Sequence, residues 1–227
     1  RNLLLTDAGM FKLTNRIKEF IKKIIFNYTS FGKPSFPYNL EPSQLSEIII
    51  SLDKVENIDG CICEIGVARG MTARFICEHL NNKSKKTDFY CIDTFSSFET
   101  DDVNHEVKNR NKSKSDLIGF SYNNFARWKK NFKKFKFVKP IKADVKKFDF
   151  KIITPIKLAI LDVDLYVPTI LTLNKIKNCM SKGGILIVDD IKKDEIWDGA
   201  EQAFYEFVKK ESLDYKLIGN KCGVIKF

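Results

Sequence analysis

The amino-acid sequence predicts an α/β fold: a doubly wound, mostly parallel sheet with helices ahead of it at the amino terminus and an antiparallel last strand. Three observations predict it. Residues 158–163 and 185–188 are near-unbroken apolar runs, the pattern of strands buried on both faces. Strand-like and helix-like stretches alternate from Cys61 onward. The strand-like runs end in glycine turns or acids, and ligands of such sheets sit outside the carboxyl ends of the strands.

At 227 residues, the chain is long enough to bury a sizeable core in one domain. We divide it into an amino-terminal helical arm, 1–58, and a domain carrying the chemistry, 59–227. No apolar run approaches the roughly 18 residues of a membrane span. The chain starts at Arg1 rather than Met and reads as a trimmed piece or fragment. Lys and Arg total 39 against 29 Asp and Glu, and the resulting +10 favours an anionic partner without naming one.

From Thr6 to Tyr28, apolar Phe11, Ile17, Phe20, Ile21, Ile24 and Ile25 recur at helical spacing, with Lys12, Arg16, Lys18, Lys22 and Lys23 opposite. The plainest role for such a helix is packing with a solvated outer face. A subunit contact, giving a homo-oligomer through the amino-terminal helices, and a membrane surface are the functional alternatives. A loop with Pro34, Pro37 and Pro42 leads to a second helix from Ser43 to about Val55.

The run Cys61-Ile-Cys-Glu-Ile-Gly-Val predicts the first strand, followed by the turn Gly66–Gly70 and a helix ending near Leu80. A glycine-containing turn between strand and helix lets backbone N–H groups approach a ligand closely. Phe89–Ile92 predicts the second strand, ending in Asp93, an acid suited to accept from both ribose hydroxyls of a nucleoside. The turn lacks the dinucleotide Gly-x-Gly-x-x-Gly pattern and the P-loop Gly-Lys-Ser/Thr ending, which favours a nucleoside cofactor without a pyrophosphate. S-adenosylmethionine fits that description.

Residues 96–115 are polar and short of apolar periodicity, which predicts a mobile lid. A helix from Phe120 to Phe132 and a strand from Lys136 to Ile141 follow, in the most basic part of the chain. That region favours a nucleotide-sugar or phosphorylated glycan as a small-molecule partner, while its plainer reading is a solvated face. Asp144, just beyond the strand, is placed to accept the exocyclic amine of adenine.

The stretch Leu158–Asp190 reads as strand, loop, helix, Gly183-Gly184 turn and strand, delivering Asp162, Asp164, Asp189 and Asp190 to one rim. Acids crowded at one rim repel one another unless a cation joins them, and oxygen ligands of this kind suit Mg²⁺. Asp162, Asp189 and Asp190 are the first-choice ligands. The plainer reading is that such acids cap helices or face solvent. A helix at Ile196–Lys210, with Trp197, Ala200, Phe204 and Phe207 on its apolar side, precedes a closing hairpin over Tyr215–Phe227. The six cysteines show no metal spacing and read as buried thiols of a reducing cytoplasm.

Together, Glu64-Ile65-Gly66-Val67 with Arg69-Gly70, Asp93-Thr94-Phe95, Asp162-Val163-Asp164-Leu165-Tyr166 with Thr169, and Gly183-Gly184 leading to Asp189-Asp190 resemble the class I S-adenosylmethionine-dependent methyltransferases. More narrowly, they resemble the macrocin O-methyltransferase family of metal-dependent sugar O-methyltransferases, over about Cys61 to Phe227. The resemblance implies that Glu64, Gly66 and Gly70 surround the methionine part of the cofactor, that Asp93 with Thr94 holds its ribose, and that Asp144 lies near its adenine. It implies that Asp162, Asp189 and Asp190 hold the cation and that Asp162 or Asp164 acts as base on a sugar hydroxyl. Ala68 stands where the family often has a larger residue, and Val167 where it often has an acid. A catechol-like or other small diol is the alternative acceptor. A nucleic-acid methyltransferase is disfavoured, because no Asn/Asp-Pro-Pro-Tyr/Phe motif is present and the basic residues are not interleaved with aromatics as in an RNA-binding module.

Overall fold

The computed structural model describes residues 7–38, 40–83, 87–193 and 196–227, with the side chains of residues 7–13 outside that description. Two compact units divide the chain at Pro37 and Tyr38. The first is built on helix α1, Asp7–Tyr28. Its expected start, Thr6, and the side chains of Phe11 and Lys12 lie outside the described residues. Ile17, Phe20, Ile21, Ile24, Ile25 and Phe26 are all exposed.

The second unit opens with helix α2, Pro42–Lys54, where Gln44 returns a side-chain bond to the Glu41 N–H and Pro42 supplies the preset first turn. Strands β1 (Cys61–Ile65), β2 (Phe89–Asp93), β3 (Val138–Lys142) and β4 (Ile156–Leu161) follow, with helix α3 (Met71–Asn81) between β1 and β2. Helices α4 (Thr100–Asn109) and α5 (Phe125–Phe132) lie between β2 and β3. Helix α6 (Tyr166–Ile176), strand β5 (Met180–Val188), helix α7 (Gly199–Glu211) and strands β6 (Tyr215–Ile218) and β7 (Cys222–Lys226) complete the unit.

The seven strands form one sheet in the order β3-β2-β1-β4-β5-β7-β6. The first five in that order are parallel, and β7 joins β5 and β6 antiparallel. All residues of β1 and β4 are buried, as their apolar runs require. Apolar side chains fill both faces: Ile62, Phe89, Leu158 and Ile187 belong to one core cluster, and Ile65, Ala159, Leu186 and Phe204 to the other. The strand order reverses direction between β1 and β4, so their carboxyl ends open the crevice where such sheets bind ligands.

Four local expectations are corrected. Residues 96–115 are not an open lid, because α4 occupies their centre. Asp102, Val103 and Glu106 of α4 are buried, so its inward face carries acids where an apolar pattern was sought. The fifth helix starts at Phe125, where the Asn124 side chain accepts from the Arg127 N–H and fixes its start. Strand β5 runs through Gly183-Gly184 instead of starting after them, and the pairing with β4 shifts register there. Trp197 lies ahead of α7 rather than on it.

All six cysteines are free and buried. Among the described residues, no helix is long and apolar enough to cross a membrane.

Candidate active site

The carboxyl ends of β1, β2, β4 and β5 are tied side by side by backbone bonds. Gly66 N–H donates to Ile92 O at 2.9 Å, Asp162 N–H to Ile65 O at 2.8 Å, and Asp189 N–H to Leu161 O at 2.9 Å. Above this row opens a cavity of about 320 Å³. Every residue singled out from the sequence lines it: Glu64, Gly66, Gly70, Asp93, Thr94, Asp144, Asp162, Asp164, Asp189 and Asp190. Gly66, at φ +83°, is where Asp162 O presses against the turn; an added Cβ would lie 1.7 Å from that oxygen. Gly70 has φ +88° and caps α3.

Asp93 staples the turn to the end of β2. Its Oδ2 accepts from the Val67 and Ala68 N–H groups at 2.8 and 3.0 Å, and its Oδ1 from the Phe95 N–H. Glu64 sits deeper, 2% exposed, and its Oε2 has no hydrogen-bond partner. Burial, then repulsion from Asp162 and Asp93, holds its carboxyl well above the usual 4.5, while an Ala73 backbone bond pulls the other way. Asp144 is balanced by Lys146 at 3.8 Å and Lys147 at 3.6 Å.

At the acidic rim, one carboxylate oxygen from each of Asp162, Asp164 and Asp190 lies within 4.8 Å of the others. Asp164 and Asp190 adopt left-handed backbone, φ +62° and +57°, a conformation that costs a non-glycine residue energy and gathers at functional sites. Burial and mutual repulsion push the carboxyls of Asp162 and Asp164 far up. Asp189 lines the cavity beside them: its Oδ1 accepts from Gln44 Nε2, and burial followed by Asp190 lifts its pKa to about 6. Asp164, read from the sequence as a neighbour, thus completes the trio with Asp162 and Asp190.

Several residues of the site escaped sequence reasoning. Lys221 is the clearest: its Nζ stands 2.6 Å from Asp190 Oδ1 and 3.6 Å from Asp189 Oδ2. The expected hairpin held the signal, since β7 pairs with β5 and brings the turn at Lys221 beside Asp190. Gln44 and the cavity-facing rings of Phe98, Phe120, Tyr122 and Trp197 carried no motif.

The segment expected as a lid is fastened to this site. Glu106 Oε1 accepts from the Tyr166 N–H at 2.7 Å, and its Oε2 pairs with Arg110 Nε at 2.7 Å. Arg110 also donates to the Asp198 carbonyl and carboxylate. The two histidines stand outside the cavity: His79 faces Asp53 at 3.1 Å, and His105 stacks on Tyr166.

The family model described as Macrocin-O-methyltransferase (TylF) matches residues 40–222. No curated protein matches the chain by sequence. Among solved structures, the O-methyltransferase NovP is similar at 20% identity and TM-score 0.62, covering 81% of this chain and 79% of its own. CalS11, a calicheamicin methyltransferase, is similar at 17% identity and TM-score 0.64, covering 98% and 93%. Its apo structure, described as a TDP-rhamnose 3'-O-methyltransferase, gives 16% and 0.62, covering 94% of each chain. At these identities the structures share the fold.

Proposed function

The chain belongs to the macrocin O-methyltransferase family and is an O-methyltransferase, and from that premise we propose that it methylates a sugar hydroxyl, using S-adenosylmethionine and a divalent cation. The observation that carries this reading is the cavity at the strand reversal, where the Glu64–Gly70 turn faces the Asp162–Asp164–Asp190 trio.

The residues fit both groups. Glu64 Oε2, buried and without a partner, suits the ammonium of the methionine part. The turn held open by Gly66 and Gly70 suits close approach of the same moiety, with Asp93 and Thr94 toward the ribose and Asp144 toward the adenine. Three carboxylates converge, burial holds the pKa values of Asp162 and Asp164 well up, and a hard cation with oxygen ligands is the complement. Asp162, Asp164 and Asp190 would hold it, with Asp189 beside them.

When bound, S-adenosylmethionine supplies a methyl group already activated on a sulfonium. A bound divalent cation supplies stabilisation of the alkoxide form of a hydroxyl, lowering its pKa. The protein's part is positioning. The Glu64–Gly70 turn would hold the methyl donor and the acidic rim the acceptor hydroxyl within one cavity, an arrangement that supplies proximity and orientation for methyl transfer. Asp162 or Asp164 takes the hydroxyl proton at a carboxylate oxygen. The family match, and the description of the structurally similar CalS11 as a TDP-rhamnose 3'-O-methyltransferase, support a sugar as acceptor.

Calorimetry with S-adenosylhomocysteine and Mg²⁺ tests the proposal on wild type and on Asp162→Asn combined with Asp190→Asn. The expected result is that both bind wild type, and that the double variant keeps the nucleoside and loses the cation. Wild type that binds no S-adenosylhomocysteine overturns the reading.

A further inference from the structure

The cavity has one apolar wall that the family-based reading leaves without a role. Phe98, ahead of α4, Phe120, between α4 and α5, and Trp197, ahead of α7, come from three separate segments and meet there. Phe98 packs edge-on to Phe120, with ring centres 5.3 Å apart at 89°, and lies 5.3 Å from Trp197; Phe120 is 6.5 Å from Trp197. All three rings are half-buried, and buried Val103, Leu117 and Leu165 back the wall.

The wall is fixed from behind. Ser97 Oγ donates to Gly119 O at 2.6 Å, joining the Phe98 and Phe120 segments. Arg110 bonds Asp198, next to Trp197. Ala200 N–H donates to Asp164 O at 3.0 Å, linking the Trp197 segment to the acidic rim. Phe120 is held at φ +59°, a strained setting for a bulky residue.

Charge narrows the ligand. Among the described residues lining the cavity are nine carboxylates and two basic side chains, Arg69 and Lys221. The exposed lysines of the basic stretch, among them Lys129, Lys133 and Lys136, do not line it. Lys146 offsets Asp102 and Asp144 from outside the lining. Beyond the cation of the rim, a pyrophosphate entering this space finds only Arg69 and Lys221 as basic partners among the described lining residues, and Lys221 is held by Asp190, which discriminates against it. A sugar ring without charge meets what suits it: its C–H face lies on the electron-rich faces of aromatic rings, and its hydroxyl edge turns to carboxylates.

Resting on the methyltransferase reading above, we propose that Phe98, Phe120 and Trp197 form the acceptor platform, selecting an uncharged glycoside stacked on the rings over a nucleotide diphosphate sugar. The platform and the rim then hold the acceptor from two sides, apolar face against rings and hydroxyls against carboxylates.

The test compares methyl α-rhamnopyranoside and the methyl glycosides of glucose, galactose and mannose with TDP-rhamnose, at fixed ionic strength with S-adenosylmethionine and Mg²⁺. At least one neutral glycoside is expected to be methylated with kcat/KM about tenfold or more above TDP-rhamnose. Phe120→Ala, Phe120→Leu and Trp197→Ala are expected to raise KM for that glycoside by about tenfold, with kcat changed less than about threefold. Affinity for S-adenosylhomocysteine should stay unchanged, which also reports that the variants are folded. Preference for TDP-rhamnose, ring variants with unaltered KM, or a wild type that binds S-adenosylhomocysteine but methylates no neutral glycoside would each overturn the platform. A wild type that binds no S-adenosylhomocysteine overturns the underlying methyltransferase reading instead.

Discussion

The Lys221 ammonium lies 2.6 Å from Asp190 Oδ1, so the acidic rim already contains a cation supplied by the chain itself. A divalent ion entering the rim competes with that ammonium for Asp190. Lys221→Met is therefore expected to tighten Mg²⁺ or Mn²⁺ binding by about tenfold, the equivalent of roughly 1.4 kcal/mol, and to lower the thermal midpoint until the ion is added. Calorimetry and thermal denaturation read both effects, and an unchanged cation affinity would sink the competition.

Glu64 makes a pH prediction. Its folded pKa lies well above the usual 4.5, so the folded protein holds a proton there that the unfolded chain releases first. The stability this provides is complete below about pH 4.5 and is lost as pH rises toward the folded pKa. Glu64→Gln, which cannot ionise, should gain thermal midpoint relative to wild type as pH climbs from 4.5 to neutral. Binding S-adenosylhomocysteine, whose ammonium favours the carboxylate, should release a proton in wild type and none in the variant. Titrations in buffers of different ionisation enthalpy would show it.

Gly66→Ala is expected to cost more than about 2 kcal/mol, because left-handed backbone alone costs a side chain about 1–2 kcal/mol and the new Cβ meets Asp162 O at 1.7 Å. Gly119→Ala is the control. Its Cβ would meet only Phe98 Cε2, at 4.0 Å, and its chemical denaturation midpoint should barely move.

Removing Glu106 leaves Arg110 with Asp198 in place of two acids and Tyr166 N–H without its acceptor. With Arg110 still held by Asp198, Glu106→Ala should destabilise by about 2 kcal/mol, the cost of the lost bonds to Arg110 and the Tyr166 N–H. Hydrogen exchange should rise at residues 100–110 and around Trp197 together; acceleration confined to α4 would contradict the shared anchoring.

Burial lifts the thiols of Cys61 and Cys77 to about 12, so little thiolate exists near neutral pH. Ellman's reagent should modify the native protein slowly and all six cysteines once it is unfolded. Two or more thiols reacting within seconds in the native state would count against the packing described.

The parallel core was legible because β1 and β4 are mostly apolar and buried along their whole length, broken only by Glu64 and Lys157, and Gly66 and Asp162 follow at their carboxyl ends where the cavity begins. The hairpin was legible from its glycines. Helix α4 was not, because its buried face carries Asp102 and Glu106 beside Val103, and their partners Lys146 and Tyr166 come from afar. Spacing extends α7 back to Trp197, yet the helix begins at Gly199, where a side-chain Cβ would lie 2.4 Å from Tyr166 N and only glycine fits. Asp189 and Asp190 are adjacent in sequence, so nothing local says which of them accepts from Gln44, 145 residues away.

The seventh strand lies between β5 and β6, although β6 precedes it along the chain. During synthesis, β5 therefore waits with an open edge until Cys222–Lys226 have left the ribosome, the state most prone to mispairing. Lys221 arrives with that same strand. Closure of the sheet and neutralisation of the acidic rim are thus one event, and a nascent chain cannot complete that rim before its sheet is sealed.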